Sequence, residues 1–127
     1  MSGYKKLDIY QRSYTMAKEV YSIIKKYPVV ETYGMVDQLR RASLSIPLNI
    51  AEGYAKRESQ ADFRRFLVMA LGSSNEMLVL IDFSKDVGYI KAETHAKMYT
   101  EYEGICKMLS GFIKRIESEQ KTSYSMQ

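Results

Sequence analysis

Apolar residues recur along this chain at spacings of three and four, and no segment sustains the alternation of a half-buried strand. Four segments carry the pattern. The first runs from about Leu7 to Lys26, with Leu7, Tyr10, Tyr14, Ala17, Tyr21 and Ile24 on one face. Lys25 and Lys26 complement the dipole of its last turn, and Pro28 ends it because the residue before a proline avoids the α region. The second runs from about Tyr33 to Arg57, its inner stripe being Met35, Leu39, Ala42, Ile46, Ile50 and Gly53. Pro47 lies inside it and predicts a kink, since a proline removes one backbone hydrogen bond and crowds the preceding turn. A break into two helices is the alternative; the stripe keeps its phase across the proline, which favours the kink.

The third helix opens at Ser59, which forms with Asp62 a pattern like a capping box, and its stripe is Phe63, Leu67, Ala70, Ser74, Met77, Leu78 and Ile81. Gly88 is its expected stop. The fourth runs from about Ala92 to Ser118, with Tyr99, Tyr102, Cys106, Leu109, Phe112, Ile113 and Ile116 inward. Short connections make neighbours antiparallel. The expectation is an all-α, up-down-up-down four-helix bundle in one domain, residues 1–118, followed by a polar, disordered tail over 119–127.

The second and third helices have more apolar surface than one core requires. Opposite the inner stripe of the second lie Leu44, Leu48, Ala51 and Ala55, flanked by Arg41 and Glu52. The third repeats this with Val68, Gly72, Val79 and Phe83, and the first adds Ile9, Met16, Val20 and Ile23 beside its main row. Open stripes of this length invite aggregation, so the economical expectation is burial between copies of the chain. The alternative is that Pro47 rotates half of the second helix and merges its two stripes into one core.

Composition narrows the classes. A chain of 127 residues suits one domain, and the single cysteine, Cys106, excludes an internal disulfide and fits a reducing cytoplasm. No apolar run follows a basic start, so no signal peptide is expected. No membrane span is expected either, because the richest window, Phe66 to Ile81, carries Asn75 and Glu76. The formal charge of +4 is uneven: residues 1–65 hold 12 Lys/Arg against 7 Asp/Glu, and residues 66–127 hold 7 against 8. A basic half permits contact with nucleic acid, and opposite halves suit a head-to-tail ring.

Lys5, Lys6, Lys56, Arg57, Arg64 and Arg65 form the best candidate phosphate patch, near the start of the third helix; Glu58 and Asp62 dilute it, and an ordinary solvated turn is the competing reading. Arg40 and Arg41 either contact phosphates or pair with Glu52 and Glu76 at helix or subunit contacts, the second being favoured. Asn49 is placed to bond backbone groups released around Pro47. Most tyrosines, Tyr10, Tyr14, Tyr21, Tyr99 and Tyr102 among them, are expected in or near the core. His95 and Cys106 make no catalytic pair, and neither a metal-ligand spacing nor a glycine-rich phosphate loop is present, so no enzyme, cofactor or metal is expected.

Several strings go further: Tyr33-Gly34-Met35, Gln38-Leu39-Arg40-Arg41-Ala42, Ser45-Ile46-Pro47, Asn49-Ile50-Ala51-Glu52-Gly53, Phe63-Arg64-Arg65-Phe66-Leu67, Ala70-Leu71-Gly72-Ser73 with Glu76, and Gly88-Tyr89-Ile90. With Tyr4-Lys5-Lys6-Leu7 they resemble the 23S rRNA intervening-sequence protein family, also called the four helix bundle protein family, over roughly residues 4–116. The resemblance implies a bundle that assembles into a ring, a pentamer, in a family often encoded within bacterial 23S rRNA genes. RNA or DNA binding is its usual suggested role. Its fold is similar to that of retroelement accessory proteins, which bind nucleic acid and a reverse transcriptase; a protein-interaction scaffold is thus the alternative function. Tyr10 stands where many members carry tryptophan and Asp62 where many carry glutamate, changes that keep the physical role.

Overall fold

A computed structural model describes the backbone of residues 3–125 and the side chains of residues 3–121; Met126 and Gln127, the end of the expected tail, lie outside the described residues. Four helices carry the fold: α1 (Asp8–Ile23), α2 (Met35–Ala55), α3 (Gln60–Asp86) and α4 (Ala92–Ser125). They run up, down, up and down. Each packs on the next, and α1 and α4 meet most sparsely. Short 3-10 turns, Gly3–Lys6, Ile24–Lys26 and Val29–Glu31, bracket α1 and lead towards α2.

Local chemistry sets the boundaries. Tyr27 is extended before Pro28 and ends the turn that follows α1. Ser59 Oγ accepts the Asp62 N–H at 3.2 Å and caps α3. Only that arm of the capping box forms: the Ser59 N–H donates to the Lys56 carbonyl, and the Asp62 carboxylate pairs with Arg65. Past α3, Gly88 takes a φ of +84°, the left-handed region that favours glycine. Helix α2 continues unbroken through Pro47. Within that stretch Asn49 Nδ2 donates to the Ser45 carbonyl at 2.8 Å and to Ser45 Oγ at 2.9 Å. Ser73 Oγ also donates to Ser45 Oγ, at 2.8 Å, which ties α2 to α3 beside the proline.

The core is built from Ile9, Met16 and Val20 of α1, Leu39, Ile46 and Ile50 of α2, Leu67, Met77 and Ile81 of α3, and Tyr102, Ile105 and Leu109 of α4. Fully burying one such aliphatic side chain contributes about 1.5–3 kcal/mol. On α1 the expected face is only partly inward: Ala17 and Ile24 are buried, and Leu7 and Tyr10 pack against the core. Its Tyr14 and Tyr21 are exposed, and Ile9, Met16 and Val20 of the neighbouring row take their place in the interior. Both rows are apolar, and the one without hydroxyls to hydrate takes the core. On α4 the buried face is likewise rotated: Met98 and Ile105 are buried, while Tyr99, Cys106 and Phe112 sit at its edge.

One further expectation, the end of the last helix, is corrected. Helix α4 runs on to Ser125, past the expected end at Ser118, and Gln60 Nε2 donates to Glu119 there at 3.2 Å. Helix α3 is long and apolar enough to cross a membrane by length and composition. Its apolar residues are divided between an inner and an outer face, so the mean hydropathy is high although no uninterrupted apolar run exists. In the bundle the inner face packs on α2 and α4.

Candidate functional site

The eight candidate cations sort into separate groups. Arg40 and Arg41, near the start of α2, both approach Asp37, at 3.8 and 3.6 Å. Within one subunit neither pairs with Glu52 or Glu76, the partners expected at helix or subunit contacts. Asp37 lies three and four residues back on the same helix, within easy reach, whereas Glu52 sits three turns away and pairs with Lys56 at 3.9 Å. Glu76 is exposed and shares a polar recess with Arg41 between α2 and α3, without an ion pair among the described residues. Arg40 and Arg41 are about 16 residues up α2 from Arg57, some 24 Å at 1.5 Å per residue, so they stand apart from the other candidates.

At the opposite end of the bundle the 3-10 turn Gly3–Lys6 folds against α2 and brings Lys6 over the Tyr54 ring, 6.0 Å from its centre. Arg57 lies over the same ring at 4.1 Å. Lys56 and Arg65 both lie over Phe66, at 4.9 and 4.5 Å. Lys5 is exposed beside them in sequence, and Arg64 turns towards α4 to pair with Glu117 at 3.5 Å. Two cations of α4 join this end, Lys107 and Arg115, the latter 4.9 Å over Phe112. Sequence reasoning missed both. Their signal was the spacing of four through Lys107, Gly111 and Arg115, a row at the edge of the core stripe.

The second surface feature is apolar. Leu44, Leu48 and Ala55 of α2 and Val68, Gly72, Val79 and Phe83 of α3 are all exposed; Ala51 is half-buried. Leu48 keeps 64% of its surface and Val79 67%, so Pro47 has not merged the two stripes of α2. The exposed Tyr14 and Tyr21 add to Leu44 and frame a groove of about 510 Å³ between α1 and α2. The turn after α1 presents Val29, Val30 and Tyr33 at 88%, 84% and 95% exposure. That tip too was unforeseen, since three apolar residues in a turn leave no periodic signal.

Other reactive groups are engaged singly. His95 Nε2 lies 2.8 Å from Asp82 Oδ1 and its ring stacks on Tyr99. The Cys106 thiol donates to Asn75 Oδ1 at 3.5 Å, and burial, with Glu103 nearby, pushes its pKa up, away from the reactive thiolate. No group of three or more His, Cys, Asp and Glu side chains is placed to share a metal among the described residues.

An all-α bundle with apolar outer faces and a basic, aromatic-backed end is the class that the fold and surface define. The chain belongs to the 23S rRNA-intervening sequence protein family, whose profile matches residues 5–111. It is also similar to a solved structure, a protein of unknown function from the S23 ribosomal protein family of Bacteroides thetaiotaomicron. The two are 26% identical, the alignment covers 84% of this chain and 95% of that one, and the TM-score is 0.76. No curated protein matches the chain.

Proposed function

We propose that this protein is a non-enzymatic subunit of a closed homo-oligomeric ring that binds RNA. The observation that carries the reading is the division of its surface. Apolar residues run along the outer sides of α2 and α3, and cations gather at one end. The sides supply two different apolar features, the groove framed by Tyr14, Tyr21 and Leu44 and the ridge of Val79 and Phe83. A contact between unlike faces repeats from copy to copy and closes when the rotation allows, and the pentamer implied by the family resemblance is such a closure. The cations then lie together on one face of the ring. Family membership supports the choice of RNA as the polyanion.

Light scattering on the purified protein tests the assembly; a discrete species of several subunits is expected, and a monomer at micromolar concentration overturns it. Filter binding to 23S rRNA fragments at low and high salt tests the ligand. Affinity should fall steeply with salt, and absence of binding at low salt rejects RNA.

One observation favours a second reading, a protein-interaction scaffold or adaptor. The tip bearing Val29, Val30 and Tyr33 is held firmly: Thr32 Oγ1 donates to the Val29 carbonyl at 2.7 Å, and the Tyr89 hydroxyl donates to Glu31 at 2.7 Å. A rigid apolar knob suits docking into a protein pocket. A partner retained after nuclease treatment and high salt, and lost on Val30→Asp, supports this reading over the first.

A further inference from the structure

We propose that two adjoining recesses on either side of Arg115 hold the sugar–phosphate backbone of single-stranded RNA. This rests on the RNA reading above and gives it a location.

The cations of the basic end differ in whether a carboxylate already neutralises them. Lys56 pairs with Glu52, Arg64 with Glu117 and Arg65 with Asp62. Lys6, Arg57, Lys107 and Arg115 form no ion pair among the described residues. These four converge. Lys6, Lys107 and Arg115 line a recess of about 570 Å³ between the start of α1 and α4, whose one carboxylate is Asp8. Arg57 and Arg115 line a second recess of about 330 Å³, and its carboxylate, Glu119, accepts a hydrogen bond from Gln60. Arg115 belongs to both and forms the ridge between them. The Gly3–Lys6 turn folds onto α1 and α2, and its last residue, Lys6, lines the recess beside α1 opposite Lys107 and Arg115.

The guanidinium groups are held in place before any ligand arrives. Arg115 lies over Phe112, and Arg57 lies over Tyr54 while its Nη1 donates to the Tyr54 carbonyl at 2.9 Å. Stacking fixes the plane of a guanidinium and leaves N–H edges for phosphate oxygens. The same stacking sets what is read. The Phe112 ring takes Arg115 over its face and meets Phe63 edge to face at 5.3 Å, so it serves as a pedestal rather than a platform for a base. Recognition therefore falls on phosphates and tolerates any base sequence. A flexible single strand can follow its backbone through both depressions, whereas a stiff duplex meets only projecting groups. The contact thus moves from the α2–α3 turn, where sequence reasoning centred it, onto α4.

Fluorescence anisotropy of the full chain with a labelled oligouridylate of roughly a dozen nucleotides tests this. Four phosphate contacts predict a log–log salt slope of about −2.8, which is about 50-fold between about 50 mM and about 200 mM salt. The double variant Lys107→Ala/Arg115→Ala should flatten the slope by about 1.4 and weaken binding at the lower salt by about tenfold or more. Lys26→Ala/Lys91→Ala removes the same charge at the other end and should bind like the parent. Circular dichroism on each variant confirms folding. If the parent binds and Lys107→Ala/Arg115→Ala binds equally well with the same slope, the proposed site is wrong and the RNA reading stands. Equal weakening in Lys26→Ala/Lys91→Ala reduces the effect to net charge and also removes the site. Tighter binding of duplex RNA of equal length overturns the assignment to a single strand. No binding by the parent at low salt removes both the site and the RNA reading.

Discussion

Tyr102 sits at the centre of α4 with no exposed surface, and its hydroxyl has no hydrogen-bond partner among the described residues. A buried hydroxyl without a partner costs about 1–3 kcal/mol in lost hydration. Ser13, Ser43 and Ser74 are equally buried, yet each donates to a carbonyl of its own helix. Tyr102→Phe keeps the ring and removes the orphan oxygen, so it should stabilise the fold by about 1 kcal/mol, seen as a higher denaturation midpoint with unchanged m-value. The hydroxyl also sets an alkaline limit. Burial raises the Tyr102 pKa above the ordinary 10.0, so the unfolded chain ionises first and binds fewer protons than the folded one. That stability is complete below about pH 10 and is lost as the pH rises beyond it. Tyr27 acts in the same direction through burial, partly offset by its bond to Ser84. Denaturation at several values between about pH 8 and about pH 11 should show a decline shallower in Tyr102→Phe, by up to about 1.4 kcal/mol per pH unit.

Elements meet closely where side chains are smallest. A Cβ on Gly53 would lie 2.9 Å from the Phe66 Cβ and 3.1 Å from a Phe63 ring carbon. The Phe66 Cβ is fixed by the backbone and cannot rotate away. Gly53→Ala should therefore destabilise by about 1–3 kcal/mol, although alanine is the better helix former by about 1 kcal/mol. Gly111→Ala meets nothing within 4 Å and should gain about 0.5–1 kcal/mol. Thermal melts of the two variants, moving in opposite directions, check the pair. This scale also marks what was legible beforehand. The inner stripe of α3 was readable because its second apolar row lies on the far side, leaving one consistent solution. On α1 the rows Tyr14–Tyr21 and Met16–Val20 lie side by side, and only the position of α2 and α4 decides which is covered. Charge pairing was less legible still. The partner of Arg40 and Arg41 within the subunit lies a single turn back at Asp37, whereas Arg115 and Lys6 line one recess from positions 109 residues apart, a proximity that no local pattern encodes.

On the proposed reading, the apolar sides of the whole molecule join subunits and its basic end holds RNA, so cutting one should affect the other only through numbers of sites. Leu48→Lys/Val79→Lys places charge on two strongly exposed positions and leaves every core residue in place. The subunit should keep its helicity and melt cooperatively, while light scattering falls to the mass of a monomer. Its recesses beside Arg115 are untouched, so a short single strand that engages one subunit should bind as tightly as it does to the ring. A longer strand is different. Once one segment is bound, the next subunit meets the strand at an effective concentration set by the linking nucleotides, and this multiplies affinity by about 10²–10⁴ without any new contact. The monomeric variant should lose that factor on long RNA alone. Equal loss on short and long strands would mean that the lysines disturb the binding surface itself, and no loss on either would mean that subunits bind RNA independently of the ring.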